Sequence, residues 1–437
     1  MTSDSSFHVV VVGGGVAGLT AALFAGRSGA RVSLVEASSE VGGRARTRCE
    51  ADFHFNMGPH ALYRCGPAEE VLTELGLSLA GAPPDASRGL AIHGGALYQL
   101  PSGPLSLMTT RLLGAREKIG LGRVLARFTK LDSTPWQSRS LRTFLDETFP
   151  SPRSRAILEA LVRLSSYVHA PDQLSAGMAI AQLQQALTSG VRYLDGGWQS
   201  MVDGLAKKAR EAGVVLHEGL AARALETQPE PVVRLKDGRG LAADAVVLAL
   251  GPREASALVE GGRDRLLSEE AERSLPVRAA CLDVGLDRLP DPRRSFALGI
   301  DEPTYLSLHS AAARGLAPGE GAVLQIARYL APDEKPDRAE IQAQLESRLD
   351  ALQPGWRREL RTRTRWLDLR VAHALPTAER GGLAGRPRVD ALESTRPGLF
   401  LAGDWVGPEG WLVDGAFASG RDAGRAAARW ARSRLHG

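Results

Sequence analysis

The stretch VVVVGGGVAGLTAAL, residues 9–23, joins a run of valines to an alanine- and leucine-rich segment through three consecutive glycines. The valine run predicts a fully buried β-strand, and the segment after the glycines predicts an α-helix that ends near another glycine. A second apolar run, RVSLVEA at 31–37, predicts a further buried strand. Together they predict a strand–turn–helix–strand unit of about 30 residues, the length that a parallel β-α-β unit requires.

The glycine turn has the spacing G-x-G-x-x-G, with Gly13, Gly15 and Gly18 in the three glycine positions. The first glycine permits a tight turn, the second lets the backbone approach a pyrophosphate, and the third lets helix and strand pack closely. Glu36 ends the second strand 18 residues after Gly18, where a carboxylate can accept hydrogen bonds from ribose hydroxyls. Since a helix N-terminus also attracts phosphate, these features favour a nucleotide cradle over a purely structural turn.

Length and composition limit the class of protein. A chain of 437 residues predicts two domains, and 43% hydrophobic and 24% charged residues are typical of a globular enzyme. Most of the 54 basic residues are arginines scattered along the chain, which does not favour nucleic-acid binding. The three cysteines have no C-x-x-C or metal-ligand spacing, so we expect no metal site and a reducing, cytoplasmic environment.

Residues 8–26 are uncharged and long enough to imitate a membrane span. The glycines within them suit a turn better than a helix that faces lipid. The preceding MTSDSSF contains an aspartate and no basic residue, which argues against a signal peptide. We therefore expect this segment to lie in a folded domain.

Residues 35–47, VEASSEVGGRART, place Gly42, Gly43 and Arg44 shortly after the predicted ribose-binding acid. Here the chain resembles the superfamily of FAD-dependent amine oxidases, phytoene desaturases and protoporphyrinogen oxidases, in which G-G-R-x-x-T follows that acid. The resemblance implies that FAD is the cofactor and that these residues wrap its pyrophosphate and ribityl chain. A diglycine lets the backbone approach the cofactor, and Arg44 supplies a fixed cation.

Three later stretches carry the same resemblance. LDGGWQSMVDGLAKKAREAGVVLHEG, residues 194–219, is similar to the family's glycine–helix–strand unit, and ADAVVLALGP, residues 243–252, is similar to the strand that leaves the FAD domain. LFLAGDWVGPEGWLVDGAFASG, residues 399–420, is similar to the family's C-terminal signature, in which a helix N-terminus faces the flavin carbonyl side. Such a helix end stabilises negative charge on a reduced flavin. The resemblance implies FAD contacts at Gly13, Gly15, Val16, Ala17, Gly18, Glu36, Ala37, Gly42, Gly43, Arg44, Met57, Gly58, Pro59, His60, Leu220, Gly403, Asp404, Leu412, Val413 and Ala416.

The predicted fold class is α/β: a doubly wound, Rossmann-type FAD-binding domain built from three segments, with an inserted α+β substrate domain. We assign residues 1–75, 195–255 and 385–437 to the FAD-binding domain, and residues 76–194 and 256–384 to the substrate domain. A change from glycine-rich buried strands to leucine- and arginine-rich helical patterns supports this division.

The branches of the superfamily differ in their substrates. Amine oxidases use a lysine–water bridge and an aromatic cage, but no lysine lies between Lys236 and Lys335, and Leu412 occupies the position of a cage tyrosine. Gly58-Pro59 and residues 100–118 resemble protoporphyrinogen oxidases, and the former also resembles phytoene desaturases. Residues 313–334 and 345–360 resemble phytoene desaturases and retinol saturases. These last two segments lie in the predicted substrate domain, so they favour the desaturase branch.

Four side chains are candidates for a direct role beside the flavin. His60 could donate a hydrogen bond to the flavin or act as a base, and backbone groups could equally satisfy it. Trp411 is predicted to wall the substrate channel. Tyr167 and His169 precede a predicted helix, where a pocket role competes with the more ordinary packing of a helix end. His309, in an alternating strand pattern, is predicted to be structural.

Residues 111–130 hold six basic side chains and one acidic side chain among interspersed leucines and isoleucine. A helix here could contact an anionic membrane surface, or it could be a solvated face of the substrate domain. The expected location is cytoplasmic, with a peripheral position on the inner membrane face as the alternative.

The sequence thus predicts an FAD-dependent oxidoreductase that dehydrogenates an apolar, isoprenoid-like substrate by hydride transfer to flavin. Oxygen or a quinone is the expected electron acceptor, because the reduced flavin must be reoxidised. The alternatives are a protoporphyrinogen oxidase-like or amine oxidase flavoenzyme, a flavin-dependent isomerase or saturase, and a lipid-binding protein of the same fold without flavin. Intact Gly42-Gly43-Arg44 and Gly403-Asp404 motifs argue against the last of these.

Overall fold

The computed structural model describes residues 7–85, 89–259, 264–335 and 337–434. Residues 1–6 and 435–437 of the predicted FAD-binding domain lie outside the described residues, as do residues 86–88, 260–263 and 336 of the predicted substrate domain.

The helices of the described residues are listed here in chain order: α1 (Val16–Arg27), α2 (Pro67–Glu74), α3 (Pro104–Thr109), α4 (Ala115–Phe128), α5 (Leu141–Thr148), α6 (Pro152–Ser166), α7 (Ala176–Thr188), α8 (Gln199–Glu211), α9 (Pro252–Leu258), α10 (Arg265–Arg273), α11 (Arg338–Leu352), α12 (Trp356–Glu359) and α13 (Val413–Arg434). The strands are β1 (His8–Val12), β2 (Arg31–Val35), β3 (Thr47–Glu50), β4 (Phe53–Asn56), β5 (Leu62–Tyr63), β6 (Gly81–Ala82), β7 (Leu90–His93), β8 (Ala96–Gln99), β9 (Val191–Leu194), β10 (Val215–His217), β11 (Ala222–Glu226), β12 (Val232–Leu235), β13 (Gly240–Ala242), β14 (Ala245–Leu248), β15 (Val277–Leu286), β16 (Phe296–Gly299), β17 (Thr304–Leu308), β18 (Ala322–Leu330), β19 (Leu360–Ala372) and β20 (Leu399–Leu401).

A five-stranded parallel sheet, in the order β10-β2-β1-β14-β20, contains the strands that the glycine-rich motifs border. Its strands β1, β14 and β20 are short, valine- and leucine-rich and buried on both faces, as expected inside a parallel sheet covered on both sides, whereas the edge strand β10 is partly exposed. α1, α8 and α13 cover one face, with Val9, Val11 and Val247 in the shared core. The small antiparallel sheet β11-β12-β13, together with α9 and α10, covers the other face.

The predicted α/β class with a Rossmann-type parallel sheet is confirmed. One face differs from a purely doubly wound arrangement, because the chain after β10 returns as three antiparallel strands rather than as a helix. Strands of the parallel sheet come from residues 8–35, 215–248 and 399–401. The domain boundaries themselves stay a prediction.

A second, seven-stranded sheet has the order β19-β15-β18-β17-β16-β7-β8. α11 packs on one of its faces through Ile341, Leu345, Leu349 and Leu352, which lie on one side of the helix. The opposite face packs on α4 to α7 and on the turn before α13, in a cluster that includes Cys281, Tyr329 and Trp411. We call this opposite face, with Ala279, Cys281, Asp283, Gln325 and Tyr329, the inner face of the large sheet. The 57–60 loop lies against it, since a Cβ at Gly58 would be 3.0 Å from Cys281 Sγ.

Candidate active site

The glycine turn between β1 and α1 has a tight inner side and an open outer side. Gly13 has a φ of +105°, and a Cβ there would lie 2.4 Å from the carbonyl oxygen of Ala249. A Cβ on Gly18 would lie 1.8 Å from the carbonyl oxygen of Gly13, so helix and turn are in direct contact. A Cβ on Gly15, by contrast, would meet nothing within 4 Å. The turn therefore has open space in front of the second glycine of the motif, where the pyrophosphate is predicted.

The N-terminus of α1 presents an unneutralised positive end to this space. Gly15 is the N-cap residue, it provides no side-chain cap, and the first turn contains no acidic residue. The free N–H groups and the helix dipole therefore favour an anion at this position. The donor set fits a phosphate group.

Glu36 joins the glycine turn to the two loops beside it. Its carboxylate accepts hydrogen bonds from the backbone N–H groups of Gly14 and Ser38, each at 2.7 Å. Its carbonyl oxygen accepts a hydrogen bond at 2.9 Å from the N–H of Leu220, which places the predicted adenine-facing residue next to the predicted ribose-binding acid. Each carboxylate oxygen can accept a further bond, so the side chain fits ribose hydroxyls. Gly42 N–H also donates to the Gly14 carbonyl at 2.7 Å, which fixes the diglycine loop against the turn.

Arg44, Asp404 and His373 form a polar cluster between the first motif and the last. Arg44 Nη1 lies 2.9 Å from Asp404 Oδ2 and donates to the Val371 carbonyl at 2.6 Å. His373 Nδ1 lies 2.7 Å from Asp404 Oδ1, and the His373 N–H donates to Oδ2 at 3.3 Å. Burial alone would raise the pKa of Asp404, but the Arg44 and His373 charges and hydrogen bonds outweigh it and hold that pKa far below its usual range. Asp404 is therefore a permanent anion in a buried position.

The turn before α13 supplies the predicted flavin-facing backbone. Leu412 has a left-handed φ of +56°, and α13 begins at the next residue. Leu412, Val413 and Ala416 are half-buried, whereas their neighbours Asp414 and Gly415 are buried. A non-glycine residue in this conformation raises the free energy of the folded state by about 1 to 3 kcal/mol, so the packing around the turn must compensate for that strain. Gly403 lies behind it and donates its N–H to Ser419 Oγ at 3.0 Å.

Asp414, the second residue of α13, directs its carboxylate into the protein, where it contacts α2 and α7. Its carboxylate accepts hydrogen bonds from the Ala68 N–H at 3.0 Å and from Gln185 Nε2 at 3.1 Å. Burial raises the pKa of Asp414 to about 6, and those two hydrogen bonds offset part of the effect. The side chain links α13 to the start of α2 and to α7.

Arg386 is a buried cation that the sequence motifs do not mark. Its Nη1 donates to the Gly410 carbonyl at 2.9 Å, and its guanidinium lies 5.1 Å from the ring centre of Trp411. Within the described part of the chain its Nε and Nη2 atoms have no hydrogen-bond partner. Burial lowers the pKa of Arg386 to about 10, and the negative charge of Asp404 opposes that shift. The group remains cationic at neutral pH and has two donors available for an anionic or carbonyl group.

The predicted flavin-facing loop, Met57–His60, is held by its own backbone and by Tyr167. Gly58 has a φ of +77°, and His60 Nδ1 lies 2.9 Å from the Gly58 carbonyl oxygen. The His60 ring contacts Trp198 edge-on with 4.6 Å between centroids, and burial lowers the pKa of His60. Tyr167 Oη donates to the Pro59 carbonyl at 2.8 Å. The structure therefore brings Tyr167 to this loop, from the connection that follows α6 and precedes α7.

Trp411 and His169 have different surroundings. Trp411 is 1% exposed and donates its indole N–H to the Ser166 carbonyl at 2.9 Å, so it belongs to the packed core behind Leu412. His169 lies in the connection between α6 and α7, where burial, followed by the charge of Arg163, lowers its pKa to about 4. The structure shows no contact between His169 and His60 or Trp411. Roles for Trp411 and His169 in substrate binding stay predictions.

Buried polar groups line the inner face of the large sheet. Asp283 is fully buried, and neither of its carboxyl oxygens has a partner in hydrogen-bonding geometry among the described residues. Burial raises the pKa of Asp283 to about 8, and the proximity of Gln325 and of the Gly58 backbone offsets only part of this. Further along, His309 stacks on Tyr193 with 4.0 Å between ring centroids, consistent with the packing role predicted for it.

Sequence reasoning missed His373, Arg386 and Asp283. The first two lie outside every motif and become part of the site only through long-range contacts. Asp283 had one usable signal, because it is the only carboxylate in the strand VRAACLDVGL and lies in its apolar part, after Arg278.

Comparison with known proteins assigns this arrangement to a family. Residues 16–428 match the family described as flavin containing amine oxidoreductase. The chain belongs to this family. It is a flavin-dependent oxidoreductase, and its cofactor is FAD, as the three motifs predicted. The alternative of a lipid-binding protein without enzymatic function is therefore set aside.

The relatives of known name come from more than one branch of the superfamily. The chain is 28% identical over 322 residues to a phytoene dehydrogenase from Streptomyces griseus, a match that covers 64% of this chain and 61% of that enzyme. It is 26% identical over 397 residues to a coproporphyrinogen III oxidase from Propionibacterium freudenreichii subsp. freudenreichii, covering 76% of this chain and 73% of that enzyme. The structure of an oxidoreductase from Methanosarcina mazei superposes with a TM-score of 0.78 at 17% identity, covering 95% of this chain and 99% of that one. The last comparison establishes the fold alone.

No helix in the described ranges is both long enough and apolar enough to cross a bilayer.

Proposed function

We propose that this flavin-dependent oxidoreductase dehydrogenates an apolar, isoprenoid-like substrate. The observation that carries the proposal is the state of the carboxylates around the candidate site. Asp404 is paired with Arg44 and His373, Asp414 accepts two internal hydrogen bonds, and burial favours the neutral form of Asp283. Among the described residues, these three carboxylates therefore offer no free negative charge to an ammonium group, which disfavours an amine substrate.

The residues of the three motifs would bind successive parts of the FAD molecule. The Gly15 turn and the N-terminus of α1 would bind the pyrophosphate, Glu36 the ribose, and the Leu220 backbone the adenine. Gly43, Arg44, Gly403 and Asp404 would contact the ribityl–phosphate chain. The remaining predicted contacts would surround the flavin ring: the loop Met57–His60 on one side, and Leu412, Val413 and Ala416 at its carbonyl side.

Bound FAD supplies the two-electron hydride acceptor. The protein positions the substrate, excludes water from the site and provides charges that tune the flavin. The first N–H groups of α13 and the free donors of Arg386 would stabilise negative charge at the flavin carbonyl side. The large sheet and the helices packed on its inner face would exclude water from the reacting centre. Neutral His60, fixed to the Gly58 carbonyl, would hold the 57–60 loop rather than act as a charged acid. The proposed electron acceptor is oxygen or a quinone.

A second candidate is oxidation of a porphyrinogen. Similarity to the coproporphyrinogen III oxidase supports it, because that match covers more of this chain than the match to the phytoene dehydrogenase.

The test is anaerobic absorbance of the purified holoprotein during titration with candidate substrates. The panel contains an acyclic carotenoid precursor in liposomes, protoporphyrinogen, coproporphyrinogen and a mixture of amines. We expect the carotenoid precursor alone to bleach the flavin band, with a product two hydrogens lighter. Bleaching by a porphyrinogen would establish the second candidate, and bleaching by an amine would overturn both. A product with unchanged mass would identify an isomerase, and a flavin that none of the panel bleaches would overturn the proposed substrate class.

A further inference from the structure

Helices α3 and α4 expose large apolar side chains to solvent. Leu105 and Met108, three residues apart on α3, are 75% and 74% exposed, and Ile119 on α4 is 56% exposed. Six large hydrophobic side chains are exposed among the described residues, and three of the six lie on these two adjacent helices. A fourth, Leu97, lies on β8, whose Gln99 accepts hydrogen bonds from Thr109 and Thr110 at the end of α3. Such grouping is unusual on a protein surface that faces only water.

Basic side chains lie on α4 and on the residues that flank it. The exposed side chains are Arg111, Arg116, Arg123, Arg127 and Lys130. Within the described ranges none of the five forms an ion pair, although most other arginines of the chain do. We call Leu105, Met108, Ile119 and these five basic residues the α3–α4 surface.

The single acid of this segment points away from the α3–α4 surface. Glu117 accepts hydrogen bonds from the Ser151 hydroxyl and from the Gly114 N–H, and it lies 3.5 Å from Arg153. Its negative charge therefore interacts with Ser151 and Arg153 at the start of α6. The five exposed cations keep their full positive potential toward solvent.

The other side of the two helices is well packed. Leu112, Leu113, Leu121 and Phe128 are buried in the same core cluster as Trp411. Lys118 Nζ donates to the Met108 carbonyl at 2.7 Å and holds the end of α3 against α4. The exposed apolar groups therefore do not result from a missing core, since the inner side of α4 is already filled.

We propose that the α3–α4 surface docks on an anionic lipid membrane. Exposed apolar side chains on the same helices as cations without ion-pair partners match the chemistry of a bilayer surface, where the cations meet lipid phosphates and the apolar groups enter the acyl boundary. Nucleic acid would use the cations but would leave Leu105, Met108 and Ile119 in water. The inference deepens the proposed function and rests on it in one respect: a substrate dissolved in the bilayer would reach the enzyme from this side.

The test is co-sedimentation of the FAD-loaded protein with vesicles of phosphatidylcholine alone or with 30% phosphatidylglycerol. We expect binding to the anionic vesicles at low ionic strength and weaker binding at high salt. Each basic residue near such a surface contributes about fivefold to the partition coefficient, so the triple variant Arg116→Gln, Arg123→Gln, Arg127→Gln should bind about 100-fold more weakly. The triple variant Leu105→Gln, Met108→Gln, Ile119→Gln should lose at least about tenfold.

Matched controls change exposed residues elsewhere on the surface. Arg253→Gln, Arg358→Gln and Arg429→Gln remove the same charge, and Leu187→Gln with Val215→Gln removes exposed apolar groups. We expect these variants to bind vesicles nearly as well as the wild type. Equal loss in the controls, equal binding to neutral vesicles, or no binding at low salt would overturn the docking proposal.

Flavin reduction by detergent-dispersed substrate separates docking from catalysis. The α3–α4 variants should keep the wild-type reduction rate in detergent and lose it only with substrate embedded in vesicles. If no isoprenoid reduces the flavin but the vesicle results hold, the proposed substrate fails and the docking surface stands.

Discussion

The Asp404 carboxylate lies 2.9 Å from the Arg44 guanidinium, although 360 positions separate the two residues in the chain. One residue belongs to the first predicted motif and the other to the last. His373 completes the cluster from a third part of the chain, at 2.7 Å from Asp404. This contact fixes the C-terminal motif against the diglycine loop, and it makes the assembly of the candidate FAD site depend on the tertiary fold.

Replacement of Asp404 by Asn should weaken both the protein and its hold on FAD. The variant leaves Arg44 and His373 without their anionic partner, so we expect a loss of about 1 to 3 kcal/mol in the free energy of unfolding. The dissociation constant of FAD should rise at least about tenfold. Denaturant unfolding and fluorescence titration of the apoprotein measure the two effects.

Asp422→Asn is the matched control, because it removes a carboxylate that pairs with Arg421 on the surface at 3.0 Å. Exposed pairs contribute about 0 to 1 kcal/mol, so this variant should resemble the wild type in both measurements. Wild-type FAD affinity in Asp404→Asn would contradict the proposed role of the cluster.

Gly15→Ala should block FAD without disturbing the fold. Gly15 has a φ of −70°, which any residue adopts, and its Cβ would meet nothing within 4 Å. The added methyl group would occupy only the space predicted for the pyrophosphate. We expect the FAD-free variant to unfold within about 0.5 kcal/mol of the wild type, whereas its FAD affinity falls at least about tenfold.

Gly120→Ala provides the control, since a Cβ on that helical glycine also meets nothing within 4 Å. It should keep FAD affinity and leave stability unchanged or slightly higher. If Gly15→Ala binds FAD as the wild type does, the phosphate is bound elsewhere.

Asp283 should make the stability of the protein fall as the pH rises. Its pKa in the folded state is raised to about 8 by burial, above the ordinary value of 3.8. Between these two values the folded state binds a proton that the unfolded state has lost, so the free energy of unfolding decreases with pH by up to about 1.4 kcal/mol per unit. The effect is complete once the pH exceeds the folded pKa. Asp283→Asn keeps the shape and cannot ionise, so the variant should gain stability relative to the wild type as the pH rises from 5 to 8.

Chemical denaturation at several pH values tests this difference. Asp172→Asn, at a carboxyl group with 75% side-chain exposure, should show no such trend relative to the wild type. A constant difference between Asp283→Asn and the wild type across this range would show that Asp283 is ionised in the folded protein. The groups beside Asp283 include Cys281 on the same strand, Gln325 and Thr364 on the two neighbouring strands, and the Gly58 backbone.

Arg386→Gln should make the flavin harder to reduce. The variant removes a buried cation with two free donors beside the N-terminus of α13, where we propose that the flavin carbonyl side lies. Loss of about 1.4 kcal/mol of stabilisation of the reduced form corresponds to a decrease of about 30 mV in the two-electron midpoint potential. Spectroelectrochemical titration measures the potential, and weaker formation of a flavin–sulfite adduct is an independent readout.

Arg386→Lys keeps the charge and should retain most of the potential, although it loses the planar donor arrangement. An unchanged potential in Arg386→Gln would place the guanidinium away from the flavin. The apoprotein of that variant should be at least as stable as the wild-type apoprotein, because a buried cation with unsatisfied donors is removed.

The parallel sheet, the glycine turn and the family could all be predicted from the amino-acid sequence. These features rest on local backbone requirements: positive φ at Gly13, contact between Gly18 and the preceding turn, and buried strands of valine and leucine. Such requirements restrict the residue type at each position, so they leave a readable pattern. The helix at 115–128 could also be predicted, because its apolar and basic residues recur with a helical period.

Which side chains contact one another could not be predicted without the folded structure. The partners of Asp404, the position of Arg386 beside Trp411, the burial of Asp283 behind Gly58 and the inward turn of Glu117 all involve residues distant in the chain. A long-range contact depends on the packing of whole elements, and a single side chain leaves no periodic signal for it. The polar network that would hold and tune FAD is therefore a property of the fold, while the cradle that identifies the cofactor is a property of the sequence.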